Sequence, residues 1–126
     1  MLNSKERIHQ YLTMAFTPEF VHASPEVVED FCILREQNTV PEPVYMDQLM
    51  SATTFDAVGF VPGIEARTLV ISGTNDTVVP VQNSINLAAA MPNATLETID
   101  GGSHMFFVEN YERFNSVVMR FLKEGQ

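Results

Sequence analysis

Basic residues are scarce in this sequence: 7 lysines and arginines stand against 16 acids, a net charge of −9 over 126 residues. A nucleic-acid binder needs a basic face to neutralise phosphates, so that class is excluded, and docking on anionic lipid is disfavoured for the same reason. There is one cysteine, Cys32, which excludes an internal disulfide and any multi-cysteine zinc site. No apolar run reaches the ~20 residues of a membrane span. Met1 to Gln10 is too polar for a signal peptide. Repeats and low-complexity stretches are also missing. The expectation is an unprocessed cytoplasmic chain. Its 45% hydrophobic content is far above that of a disordered segment, and its length suits one domain with a sizeable core.

The pattern changes character near Asp56 to Glu65. Before that point it is helical. Ile8, Tyr11, Leu12 and Ala15 fall on one helix face, with Asn3 or Ser4 placed to cap its start. Thr17-Pro18 ends this helix, because the residue before proline is pushed out of the helical region. Ser24-Pro25-Glu26 starts a second, as cap, first-turn proline and acid at the positive dipole end. Val27, Val28, Phe31 and Leu34 form its apolar face. Pro41 and Pro43 break the chain, and a third helix follows with Met46, Leu49, Met50 and Thr53 on one side. Methionines there suit an adaptable covering surface. Phe55 to Ala66 reads as a loop or short turn.

The second part alternates. Thr68 to Ile71, ending at Gly73, is a short β-branched run, the pattern of a strand buried on both faces in a parallel sheet. A polar loop runs from Gly73 to Pro80. Val81, Ile85, Ala88 and Met91 mark a helix stopped by Pro92. Ala94 to Ile99 reads as a second strand, and Asp100-Gly101-Gly102-Ser103-His104 as a glycine-rich loop. Tyr111, Phe114, Val117, Val118, Phe121 and Leu122 stripe a last helix. Strand, helix, strand, helix implies parallel strands with right-handed crossovers.

In open α/β sheets ligands bind at the carboxyl edge of the strands. Two loops leave that edge here, one carrying Asp76 and the other His104. A carboxylate bonded to one imidazole nitrogen fixes the tautomer and frees the other nitrogen as a general base. Each residue also has a plainer reading: Asn75-Asp76 is turn chemistry, and a lone histidine often caps or packs. His9 and His22 share no metal-ligand spacing with each other or with Cys32, so no metal site is expected. Gly101-Gly102 has no following lysine and is not a phosphate loop. Arg7, Arg35, Arg67, Arg113 and Arg120 form no obvious carboxylate clamp by position.

The run Leu69-Val70-Ile71-x-Gly73-x-x-Asp76-x-x-x-Pro80, then an alanine-rich helix, a strand, Gly101-x-x-His104 and a terminal Phe-Leu helix, resembles the C-terminal half of an α/β-hydrolase. The resemblance holds from about Asp56 to Leu122. It is looser over residues 1–55, which look like that family's helical lid. Gln48 to Asp56, followed by Ile64 to Gly73, is similar to the lid exit of the enol-lactonase-like branch. The resemblance implies an α/β class, with residues 1–55 as a lid-like segment and 56–126 as the C-terminal part of the core, together one compact unit. It makes Asp76 the triad acid and His104 the triad base, in the family's chain order. It implies hydrolysis of an ester, lactone or related bond, without any cofactor.

The family's nucleophile lies in Gly-x-Ser-x-Gly, and none of the seven serines (4, 24, 51, 72, 84, 103 and 116) lies in that motif. Ser103 would have to fold back on its neighbour's ring to serve. Two triad members without a nucleophile imply a chain inactive by itself. Its expected partners are a second copy of itself or a separate N-terminal hydrolase half, with a small-molecule substrate once complemented. A shortened remnant is the third way to account for so small a sheet. Self-association is favoured, since pairing the open edges would bury Leu69, Val70 and Ile71. The alternative function is a non-catalytic binding or assembly module joined through that edge. A small α/β domain unrelated to hydrolases is the least favoured reading.

Overall fold

A computed structural model describes residues 4–125. Four helices come first: α1 (Ser4–Ala15), α2 (Pro18–Ala23), α3 (Pro25–Gln37) and α4 (Glu42–Thr54). A short 3-10 turn (Val61–Gly63) leads into β1 (Thr68–Gly73), α5 (Val81–Ala90), β2 (Ala94–Ile99), α6 (Phe106–Glu109) and α7 (Tyr111–Lys123). This is the alternating α/β arrangement the pattern implied. Among the described residues no helix is long and apolar enough to cross a membrane.

The helical part is held by α1 lying on α3, with Phe16, Val28 and Cys32 buried between them. Phe16 stacks on Phe20 with ring centroids 5.3 Å apart and meets Phe31 at 5.9 Å. Thr17-Pro18 does end α1, but the chain re-enters helix at once, an element the sequence reading passed over. Thr17 is the cap of α2: its hydroxyl accepts the Phe20 N–H at 3.2 Å, with Pro18 and Glu19 filling the first turn. Ser24 does cap α3 by position, though its hydroxyl makes no capping bond. Asn3 lies outside the described residues, and α1 already includes Ser4. Two stripe residues depart from expectation. Tyr11 is 70% exposed because it lines an open cavity, and Leu34 is exposed as well. On α4, Met46, Leu49 and Met50 are likewise uncovered.

The sheet sets the site. Strands β1 and β2 pair in parallel, from Thr68↔Ala94 through Val70↔Leu96 to Gly73↔Ile99. Both strands therefore end at one rim. Helix α5 packs on both strands and α7 on β2. Val70, Met91, Ile99 and Val117 are buried there. Burial on both faces of β1 is only partly met: Val70 is buried, while Leu69 and Ile71 are half-exposed. On α7, Val117 is buried but Tyr111 and Leu122 are not, so the stripe is wider than the sheet it covers. Arg113 and Arg120 reach Glu97 on β2, and Arg67 lies 3.8 Å over the Phe121 ring. The second of these gives Arg67 a packing role that its sequence position did not suggest.

Beyond the paired strands the two loops are stitched together. Thr74 N–H donates to Ile99 O at 3.0 Å and Asn75 N–H to Gly102 O at 2.9 Å. Gly101 N–H donates to Thr74 Oγ1 at 2.8 Å. Gly101 has φ +70°, a left-handed conformation that favours glycine. Gly73 is required for a different reason: a Cβ there would fall on the carbonyl oxygens of Gly102 and Ser103. Gly73→Ala is expected to cost about 1–3 kcal/mol or more, as overpacking against unyielding backbone does. A urea titration checks this, with a lowered midpoint as the expected result.

Candidate active site

Asp76 sits three residues past the end of β1, in a turn that it organises itself. Its Oδ1 accepts the N–H groups of Val78 and Val79, both at 2.8 Å. That leaves Oδ2 pointing across the rim, where it lies 2.9 Å from His104 Nδ1. The turn reading and the histidine-partner reading of Asp76 both hold, one on each carboxylate oxygen. The Asp76 side chain is 6% exposed and that of His104 is 39% exposed. Burial pushes the Asp76 carboxyl up. The Val79 N–H, His104 and the Val78 N–H pull it down by more, and the net position is below the ordinary carboxylate value. With Nδ1–H donating to a carboxylate, neutral His104 keeps a lone pair on Nε2, the geometry of a general base.

His104 is fixed on both sides by its own loop. Ser103 is buried, and its hydroxyl donates to Glu109 Oε2 at 2.8 Å while accepting the Met105 N–H at 3.0 Å. Glu109 Oε2 also accepts Ser103 N–H at 3.3 Å, and Glu109 Oε1 accepts Thr17 N–H at 2.5 Å. Met105 N–H reaches Ala15 O at 3.0 Å, and Thr77 Oγ1 donates to Met14 O at 3.3 Å. The end of α1 is thus tied to both loops. Ser103 spends its proton on Glu109, not on His104, which removes it as a nucleophile. Among the described residues the His104 ring is bonded to Asp76 alone. Ser72, also buried, bonds to the Gly73 carbonyl.

Two cavities flank the pair. Asp76 and Ser103 line one of about 1130 Å³, together with Thr17, His22 and Thr74. His104 lines another of about 560 Å³, with Val78 from its own rim and residues of α1, α3 and α4. Arg7 and Arg35 line this second cavity, a convergence that their positions in the sequence did not reveal. Glu109 is the other residue that sequence reasoning missed. Its only signal was an acid placed shortly after the histidine loop.

Linear spacing also hid a contact among His9, Glu29 and Cys32, whose side-chain donor atoms lie within 4.8 Å of one another. His9 Nε2 is 3.9 Å from Glu29, and its Nδ1 is 3.4 Å from Thr13 Oγ1. Burial, with Glu29 and Glu36 nearby, pushes the Cys32 thiol up, which holds it protonated. These contacts form the seam between α1 and α3.

The fold is that of an α/β-hydrolase, and the chain belongs to that family: the alpha/beta hydrolase fold model matches residues 8–111. A curated relative is a poly(3-hydroxyalkanoate) depolymerase of Ectopseudomonas oleovorans, 32% identical over 80 residues, which are 64% of this chain and 28% of that enzyme. The fold is similar to an enol-lactonase of Burkholderia xenovorans (TM-score 0.83, 24% identity, 93% of this chain and 44% of that one). It is equally similar to a hydrolase of Pseudomonas aeruginosa (TM-score 0.83, 25% identity, 97% of this chain and 45% of that one). The chain spans less than half the length of each of these three proteins.

The lowered Asp76 carboxyl has a consequence for stability. A carboxyl whose folded pKa lies below its unfolded value of about 4 contributes fully above that unfolded value. The contribution is lost as pH falls through the folded pKa. Asp76→Asn is therefore expected to cost about 1–3 kcal/mol at pH 7, and nothing comparable once the carboxyl is protonated in both states. Urea midpoints of both proteins across an acid series check this; a pH-independent difference would contradict it.

Proposed function

We propose that this chain supplies the acid–base half of a serine hydrolase acting on an ester, lactone or related bond. The observation that carries the reading is the 2.9 Å bond between Asp76 and His104 Nδ1, with His104 also lining a cavity. In this reading residues 1–55 act as a lid over the rim, and 56–126 as the C-terminal part of the core. The resemblance of the fold to an enol-lactonase and of the sequence to a depolymerase of polyesters supports the bond class. The acidic composition and the single free Cys32 suit a cytoplasmic setting.

The chemistry follows from the free nitrogen. His104 Nε2 takes the proton of a serine hydroxyl as its oxygen attacks the substrate carbonyl carbon. The imidazolium so formed is stabilised by Asp76. It returns the proton to the leaving alkoxide as the carbonyl–oxygen bond breaks, giving an acyl-serine. Water then repeats the cycle, with His104 again as base. The serine comes from outside the 126 residues, because no Gly-x-Ser-x-Gly occurs in them. A partner or upstream segment that adds strands to the sheet would bring it.

The test is hydrolysis of a short-chain activated ester by this chain, alone and mixed with a nucleophile-bearing N-terminal half of a related hydrolase. Alone, turnover is expected to equal that of His104→Ala. Combined, turnover is expected to appear and to fall by about 10⁴-fold in His104→Ala. Turnover indifferent to His104 in the combined protein would defeat the proposal.

The second reading is assembly of like chains. Its support is the sheet, in which, among the described residues, β1 and β2 each have a hydrogen-bonded neighbour on one side only. A second copy could pair with either edge. Light scattering is then expected to give twice the 14.1 kDa chain mass, whereas a stable single-chain mass would exclude it.

A further inference from the structure

We propose that His9, Glu29 and Cys32 form a site for one divalent metal ion of the zinc class, which clamps α1 to α3. The first observation is geometry. His9 comes from α1, while Glu29 and Cys32 are three residues apart on α3 and share one face of it. One donor atom from each residue lies within 4.8 Å of the other two. Tetrahedral zinc with bonds of about 2.0–2.3 Å sets its ligand atoms roughly 3.3–3.8 Å apart. His9 Nε2 is already 3.9 Å from Glu29 Oε2. Both of these side chains are exposed, so small rotations bring them onto an ion held at the buried Cys32 sulfur.

The second observation is the tautomer of the imidazole. Thr13 Oγ1 donates its proton to His9 O at 2.7 Å and lies 3.4 Å from His9 Nδ1. With its hydrogen spent, that oxygen accepts from the ring, so Nδ1 carries the ring proton. Neutral His9 then keeps its lone pair on Nε2, on the side of the Glu29 carboxylate. Two electron-pair donors face each other there, and a cation between them satisfies both. A histidine ligand is ordinarily held in this way, by a hydrogen bond at its other nitrogen.

The third observation is charge and ligand type. Lys5 pairs with Glu36 at 3.6 Å, one turn along α1 from His9 and one turn along α3 from Cys32. Among the described residues the one ion-pair partner of Glu29 is His9. A Glu29 carboxylate and a Cys32 thiolate carry two negative charges beside a neutral imidazole, which matches a dication. Burial, with Glu29 and Glu36 nearby, holds the thiol protonated when no ion is bound. On binding, the Sγ–H bond breaks, an Sγ–metal bond forms and the proton leaves to water. Thiolate and imidazole select an ion of the zinc class over Mg²⁺ and Ca²⁺, which take oxygen ligands. The fourth position is left to water, since His9 and Glu29 stand at the surface.

Cobalt(II) tests this, because its absorption reports its ligands. The reduced chain, first stripped with a chelator, is titrated with Co²⁺. A single equivalent is expected to bring a sulfur-to-metal charge-transfer band in the near ultraviolet and tetrahedral bands in the visible. One equivalent of Zn²⁺ is expected to bleach both. His9→Ala and Glu29→Gln, at exposed positions, should each weaken Co²⁺ binding by about tenfold or more, and Thr13→Val by about tenfold. Cys32→Ala is expected to abolish the charge-transfer band. Should that buried change disturb the fold, seen by circular dichroism, the His9 and Thr13 variants carry the test. Zn²⁺ is also expected to raise the urea midpoint of the chain and to leave that of His9→Ala unmoved. The proposal is overturned by any of three results: no charge-transfer band, the weak octahedral spectrum of Co²⁺ on surface carboxylates alone, or an affinity unchanged in His9→Ala. The last two would leave His9 and Glu29 as an ordinary ion pair.

Discussion

The parallel pairing that ends Gly73 opposite Ile99 is the constraint on which the site depends. Because both strands stop at the same level, the loops that follow start side by side. Backbone bonds from Thr74 and Asn75 to Ile99 and Gly102 then carry the pairing past the strands themselves. A slip of one residue would rotate the side chains of one strand to the opposite face and shift its loop by the ~3.3 Å rise of a residue. A 2.9 Å bond between Asp76 and His104 has no room for such a shift. The glycines belong to the same constraint. Gly73 gives way to the backbone of the histidine loop, and Gly101 makes the turn that brings that loop across.

A second set of bonds joins the helical part to this rim. Glu109 accepts from Thr17 with one oxygen and from Ser103 with the other, and Ala15 O takes the Met105 N–H. A carboxylate accepting several N–H and O–H groups is well satisfied in a half-buried place. The consequence is that α1 is anchored next to His104, which puts the cavity-facing side of α1 beside the histidine. The α1 residues that line the cavity and His104 are then positioned by one network.

Much of this was legible in the sequence, where local chemistry decides the outcome. The strand at Thr68–Gly73, the strand at Ala94–Ile99 and the striped α7 all follow from apolar periodicity and the breakers around them. Asp76 and His104 stood out because the loops after parallel strands are where ligands bind, and the structure places them 2.9 Å apart. The short α2 was missed although Thr17-Pro18-Glu19 has the same cap, proline and acid as Ser24-Pro25-Glu26; a helix end was recognised and the start at the same residues was not. That Arg7 and Arg35 line one cavity was out of reach, because it depends on how α1 lies on α3. So was the contact of His9 with Cys32. Tyr11 shows the limit of periodicity: it lies on the helix face as expected, but that face borders a cavity as well as the core.

The site is a histidine whose Nδ1 lies against a carboxylate, at the edge of a cavity lined by helices. The ring orientation is set by the fold and needs no substrate. The most direct measurement is a two-dimensional ¹⁵N NMR correlation of the His104 imidazole in its neutral form, in the chain and in Asp76→Asn. The expected spectrum has the proton on Nδ1 and a bare Nε2, with that preference weakened in the variant. A proton on Nε2, or a ring indifferent to Asp76, would contradict the account at its centre.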